Sequence, residues 1–288
     1  MTRQILVTGV NSPLGAAVSR SLRRRGHKVI GTFRRDRNAH SEVQVDEIVQ
    51  IDLSDVSSYE RLPLGLEAVI HVAAQSEGDT AELFMSNVVA TSNLLEFAQL
   101  RGITRLVHVS AISVYGISAE GTVSEHTPIR RQSCYGAAKW ATECLLAERH
   151  SRVCSTSVRS PAIVGTVSHR HLLSRLASKM KSGSPSISLQ NPGFLFNNLV
   201  HEDDLAEFLT ALLEIEPKSY RAVPVASSQP MAFGEVINTL VSKFSYRGQI
   251  EWGTSVTAPF NIDIEGALEL GFSPTAMRGT LSKWLRSL

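Results

Sequence analysis

The stretch Gln4-Ile5-Leu6-Val7-Thr8-Gly9-Val10-Asn11-Ser12-Pro13-Leu14-Gly15 decides the fold. Residues 4–8 are apolar or β-branched and predict a buried strand. Gly9 permits a tight turn, and Gly15 lets a helix over residues 14–25 pack closely on that strand. Free amides at a helix N-terminus attract a pyrophosphate, so a strand–glycine–helix junction predicts a dinucleotide site.

Working outward, the same alternation continues. Strands are predicted over residues 28–33, ending at 49–52, over 68–73, 105–110 and 153–159. Helices are predicted over 87–101, with Gly102 as stop, and from Tyr135 to about residue 150. Strands alternating with helices imply an α/β fold, a Rossmann-type doubly wound parallel sheet. After Ser160 the rhythm breaks, with a Gly/Ser/Pro-rich segment at 182–185. The expected division is a dinucleotide-binding domain over 1–160 and a smaller substrate-binding subdomain over 161–288. Segments near 197–215 are expected to return to the main domain.

The chain has 288 residues, 43% hydrophobic, with a formal net charge of +2. That balance argues against nucleic acid or an anionic membrane as partner. Arg23-Arg24-Arg25 reads as cations ending the first helix before Gly26. Three cysteines, Cys134, Cys144 and Cys154, form no Cys-x-x-Cys pair, and their odd number argues against a disulfide framework. His169 and His171 read as surface rather than a zinc site, and no metal is expected. No apolar run is long enough to span a bilayer. The first strand starts so near residue 1 that no room remains for a signal peptide, and a cytoplasmic location is expected.

Tyr135-Gly136-Ala137-Ala138-Lys139 places a phenol and an ammonium on one helical face, one turn apart. A nearby cation stabilises a phenolate and lowers its pKa. Such a pair can move a proton to or from a substrate oxygen.

By these residues the chain resembles the extended short-chain dehydrogenase/reductase family of nucleotide-sugar epimerases, dehydratases and reductases. Thr8-Gly9 to Gly15 resembles that family's glycine-rich loop, with Asn11, Ser12, Pro13 and Leu14 inside it. Asp52-Leu53 resembles its adenine-contacting pair, and His71-Val72-Ala73-Ala74 its segment beside the cofactor ribose. Residues 87–96 are similar to its Asn-x-x-Gly-Thr-x-Asn-Leu-Leu-Glu helix. Val114-Tyr115-Gly116, Tyr135/Lys139 and Pro161 fit the same order, with Ile163 beyond. Residues 197–206 resemble its His-x-Asp-Asp-Leu-Ala stretch, and residues 263–274 its C-terminal ending.

The resemblance implies that Tyr135 is the acid/base and that Lys139 lowers its pKa and holds the nicotinamide ribose. Substrate contacts are implied at Gln75, Ser113, Tyr115, Asn197 and Asn198. The family's catalytic Ser/Thr position is Ala111 here, so Ser113 is expected to supply the donor, while Ser110 faces the cofactor or caps its strand. Ser12 stands where the family has a glycine, and its hydroxyl is expected to tolerate or donate to a phosphate. Ile112 and Ser113 occupy the place of a dehydratase's acidic pair, which disfavours dehydration. Phe33 ends the second strand where an NAD-binding acid would stand, and Arg34 and Arg35 follow, which favours NADP over NAD.

The expected activity is an NADP-dependent oxidoreductase or epimerase-type enzyme on a nucleotide-activated sugar or related polar carbonyl compound. Two alternatives stand beside it: an NAD-dependent 4-epimerase that retains its cofactor, and a non-catalytic NADP-binding regulator in which Ala111 marks lost chemistry. A homodimer is expected, through helices carrying Leu94, Leu95, Phe97, Trp140, Leu145 and Leu146.

Overall fold

A computed structural model describes residues 2–34, 43–116, 121–130, 133–165, 171–215, 218–253 and 260–288. Arg35 and His169 lie outside the described residues. The main sheet is built from β1 (Gln4–Thr8), β2 (Lys28–Phe33), β3 (Glu47–Gln50), β4 (Ala68–His71), β5 (Arg105–Ala111), β6 (Cys154–Ser160) and β7 (Arg221–Pro224). Its order is β7-β6-β5-β4-β1-β2-β3, and every pairing is parallel. The order reverses beside β1, which is where a doubly wound sheet opens a crevice at its carboxyl edge.

The near-continuous apolar strands need cover on both faces. On one face Ile5, Val7 and Val107 pack with Leu14 and Val18 of α1 (Pro13–Arg24) and with Leu205 and Phe208 of α6 (Glu202–Ala211). On the other, Leu6, Ile30 and Leu106 meet Leu94 and Phe97 of α3 (Ala90–Leu100) and Leu146 of α4 (Cys134–Glu148). The arginine run at the end of α1 is structural: Arg24 and Arg25 pair with Glu207 of α6, and Arg23 with Asp46.

Two boundaries differ from the sequence expectation. β7 comes from a stretch not assigned to the sheet, because its short run Arg-Ala-Val-Pro gives little pattern. The helix expected over 87–101 begins a full segment earlier, with α2 (Thr80–Phe84) and a π-helical turn Met85–Val89 leading into α3. Asp79 and Glu82 form a capping box that starts it. The Asn87 amide donates to Leu83 O at 2.8 Å, one turn back, within the widened turn.

The C-terminal portion has its own core. Leu176, Phe196, Met231, Phe233, Leu240 and Trp284 pack together across α5 (Leu172–Lys181), α7 (Phe233–Phe244) and α8 (Met277–Ser287). The strand Leu199–His201 pairs in parallel with Ala162–Val164, tying this part to the exit of β6. Among the described residues no helix is long and apolar enough to cross a membrane, and no cluster of His, Cys, Asp or Glu could hold a metal ion. The three cysteines are free.

Candidate active site

The carboxyl ends of the parallel strands set the site. There the chain exits β1 into Gly9–Gly15, β2 into Arg34, β4 into Ala73–Gln75, β5 into Ile112–Tyr115 and β6 into Pro161. Gly9 has φ 72° and lies against Ala73: a Cβ on Gly9 would come within 2.9 Å of Ala73 Cα. A Cβ on Gly15 would meet Gly9 O at 2.2 Å. Both glycines are therefore required for β1, α1 and the β4 exit to meet in one tight junction. Bare backbone at a helix N-terminus fits a dinucleotide pyrophosphate.

Ser12 is engaged within its own loop. Its hydroxyl donates to Gly9 O (2.7 Å) and accepts from Gly15 N (3.1 Å), so it caps α1. Its proton is committed to the loop rather than to a phosphate. Pro13 follows at the first helical position, where its missing N–H costs nothing. Asn11 and Pro13 are half-buried, and Leu14 is buried in the core beneath.

Arg34 is exposed and its guanidinium donates to Gln75 Oε1 (2.9 Å) and Ser86 Oγ (3.0 Å). Gln75 is thus drawn to Arg34, and its backbone is gripped by the Asn87 amide. Asp52 accepts from Ser54 N and Oγ, and Leu53 O accepts from Tyr59 and Asn93. Ala74 is exposed, Pro161 is buried, and Ile163 pairs with Val200.

Ser133 caps α4 by accepting from Gly136 N, which starts the helix one residue before Tyr135. Tyr135 is half-buried, and burial pushes its phenol up to about 12. The lowering expected from Lys139 is not present in this arrangement. Lys139 is only 2% exposed. Its Nζ donates to Val109 O (2.8 Å) and reaches His108 Nε2 at 3.4 Å. Burial lowers its ammonium to about 8, against the opposing charge of Glu143. The cation is therefore poised to lose its proton just above neutrality.

Ser113 and Ser110 separate clearly. Ser110 Oγ donates to Glu143 Oε1 at 2.6 Å, so its proton is committed. Ser113 Oγ is buried and has no hydrogen-bond partner. Buried hydroxyls are nearly always paired, so an unpaired one calls for a ligand or water. Asn198 Oδ1 is in the same condition. Its neighbour Asn197 is not: its amide clasps Ile262 O and Ile262 N at 2.7 and 2.9 Å, so it holds the C-terminal portion together. Tyr115 is likewise internal. It is 1% exposed, donates to Ser124 O (2.8 Å) and accepts from Arg159 (2.9 Å).

Several residues were not legible as site groups. Glu143 is fully buried and forms a forked pair with Arg159, whose Nη2 lies 2.7 Å away. This pair joins Ser110 to Tyr115 and fixes the turn that carries Ser113. His71 bonds Thr8 Oγ1 (2.8 Å) and Thr91 Oγ1 (3.0 Å). Thr91 gives its own proton to Asn87 O, so His71 must donate from Nε2 and accept at Nδ1. The available signals were a histidine inside each apolar strand, Ala-Val-Ile-His and Arg-Leu-Val-His, and a carboxylate one turn after Lys139.

Of the apolar residues expected at a dimer face, Leu94, Leu95, Phe97 and Leu146 are instead buried within the protomer, where they cover the sheet. Trp140 remains exposed, as do Phe84 and Met85 on the neighbouring helical run.

A sequence profile of the NAD dependent epimerase/dehydratase family matches residues 5–225. The 2-alkyl-3-oxoalkanoate reductase of Stenotrophomonas maltophilia is 27% identical over 250 residues, 83% of this chain and 75% of the relative. The UDP-glucose 4-epimerase of Mycolicibacterium smegmatis is 34% identical over 154 residues, 49% of each chain. Among solved structures, MoeE5 in complex with UDP-glucose and NAD superposes with a TM-score of 0.80 at 22% identity, covering 99% of this chain and 98% of the other. That likeness establishes the shared fold.

Proposed function

Because the chain belongs to the NAD dependent epimerase/dehydratase family, we propose that it is an NADP-dependent oxidoreductase of the reductase or epimerase type. Its substrate is a nucleotide-activated sugar or a related polar carbonyl compound. The observation that carries this reading is Lys139: a lysine buried at the carboxyl end of β5, one helical turn from Tyr135. Burying an ammonium costs several kcal/mol, a cost that a structural role does not require.

The bound nicotinamide would supply or accept the hydride. Tyr135 holds its proton well above neutral pH and delivers it to the substrate oxygen. Lys139, cationic below about 8 and one helical turn away, would stabilise the phenolate left behind once cofactor and substrate draw the two groups together. Ser113 donates to the same substrate oxygen, and Asn198 receives a substrate donor. Ser110, Tyr115 and Asn197 support the site from behind. Arg34, with Arg35 beside it in sequence, takes the 2′-phosphate in exchange for Gln75 and Ser86. A protonated resting phenol and the reductase among the relatives both support the reductase direction. The exposed Trp140, Phe84 and Met85 support a symmetric dimer, which light scattering at micromolar concentration would show as twice the monomer mass.

The test is a screen of keto-sugar nucleotides and other polar carbonyl compounds with NADPH and NADH. Cofactor consumption supports the reductase; product formation with cofactor retained through purification supports the epimerase. Ser113→Ala should then lower turnover by about 10–10³-fold, as for loss of one donor to a developing oxyanion. Ala111→Ser should add little. A silent Ser113→Ala with a strongly activating Ala111→Ser would show that the donor was never replaced, and would favour the binding protein.

A further inference from the structure

Strand register places five polar residues in one row across the sheet: Thr32 beside Thr8, Thr8 beside His71, His71 beside His108, and His108 beside Ser157. All five are buried, at 1% exposure or less. Partners in a parallel register project to the same face, so the row is continuous. Thr8 and His71 are hydrogen-bonded, the His71 and His108 rings stack with centroids 5.7 Å apart, and His108 Nδ1 lies 2.9 Å from Ser157 Oγ. Tyr220, from the chain entering β7, donates to Ser157 Oγ at 2.8 Å and closes the row.

The protonation pattern of His108 follows from its neighbours. As an ammonium, Lys139 Nζ can only donate, so below about pH 8 the Nε2 facing it accepts. Nδ1 then carries the ring proton and donates to Ser157. We infer that His108 is a positioning residue: with its Nδ1–H on Ser157, it presents at Nε2 an acceptor that holds the Lys139 ammonium one helical turn from Tyr135.

The surrounding charges support that part. Lys139 meets the charge of Glu143 on its own helix, and His71 and His108 from β4 and β5; Tyr135 lies one turn away on the same helix, and Arg159 of β6 is paired with Glu143. Both imidazoles are held neutral by burial and then by the Lys139 charge. Glu143 is already matched by Arg159. Beyond Val109 O and the shared charge of Glu143, the acceptor at His108 is therefore a local support for the cation. This inference rests on the proposed role of Lys139 only where turnover is measured.

The first test needs no variant. In the cofactor-free native protein, 15N shifts of His108 should show a protonated Nδ1 and an unprotonated Nε2. The reverse tautomer overturns the inference, because Nε2–H cannot accept from Lys139. The second follows the Lys139 side-chain nitrogen through a pH titration, assigned by its loss in Lys139→Met. His108→Leu removes the acceptor and should lower the midpoint by about one pH unit. His108→Gln, which can place an oxygen near the Nε2 position, should restore it. An unmoved midpoint in a folded His108→Leu protein overturns the inference. If the midpoint moves while the alkaline limb of the turnover profile does not, the positioning stands and the catalytic part assigned to Lys139 fails. Should His108→Leu not fold, the tautomer measurement decides.

Discussion

The buried polar row with α4, and the C-terminal core, are stabilised in opposite ways. Around the Lys139 turn of α4, the buried polar side chains form a chain of directed pairs: Lys139 on Val109 O, Ser110 on Glu143, Glu143 on Arg159, Arg159 on Tyr115. In the C-terminal portion, Leu176, Phe196, Phe233 and Trp284 interlock by shape, and the Phe194 and Phe233 rings meet tilted with centroids 4.9 Å apart. Directional networks fix atoms to within tenths of an ångström but fail when one partner is lost. Apolar packing tolerates substitution as long as volume is kept. The chain thus places its proton-handling groups where geometry is over-determined, and leaves the other portion free to vary in shape.

The largest expected contrast is in stability. Glu143→Ala leaves Arg159 buried and unpaired, and should cost about 3–5 kcal/mol. Leu176→Met, in the C-terminal core, should cost less than about 1.5 kcal/mol. Urea unfolding measures both, and equal losses would erase the distinction between the two regions.

A smaller effect should appear on acidification. His71 titrates near 6.5 when unfolded and at about 3 in the native chain, through burial and then the Lys139 charge. Between those values the unfolded chain holds the extra proton. Its contribution is therefore fully present above pH 6.5 and is lost as the pH falls toward 3, on the order of a few kcal/mol in all. His108 acts in the same direction. His71→Gln should flatten this part of the stability profile; an unchanged slope would show that the row is not what titrates.

The smallest effect concerns cofactor choice. Arg34→Ala should weaken NADP binding by about 1.5–3 kcal/mol, the worth of hydrogen bonds to a charged group, with NAD binding little changed. Equal weakening of both would leave Arg34 as a brace for Gln75 and Ser86 alone.

Much of the fold was legible because its signals are local. Residues 4–15 set the first strand, turn and helix, and the alternation to residue 159 set the sheet. β7 was not legible, since four residues ending in proline carry little periodicity and are placed only by pairing with β6. Within the site, spacing showed that Tyr135 and Lys139 share a face. It could not show where Lys139 points, because that depends on His108 and Val109, thirty residues away. Ser113 was expected as the donor and Ser110 as a cofactor or capping residue, but that Glu143 takes the Ser110 proton while Ser113 Oγ stays unpaired was not legible. Tyr115 and Asn197 carry polar groups that suit a ligand, yet Ser124, Arg159 and Ile262 occupy them. Such long-range pairing leaves no mark in a single sequence.

The most direct test of the proton-transfer assignment is turnover by Tyr135→Phe, measured with NADPH and the best carbonyl substrate, beside cofactor affinity. The ring stays and only the hydroxyl is lost. Turnover should fall ~10²–10⁴-fold with cofactor affinity little changed. Near-native turnover in the phenylalanine variant would contradict the assignment of Tyr135 as the acid/base.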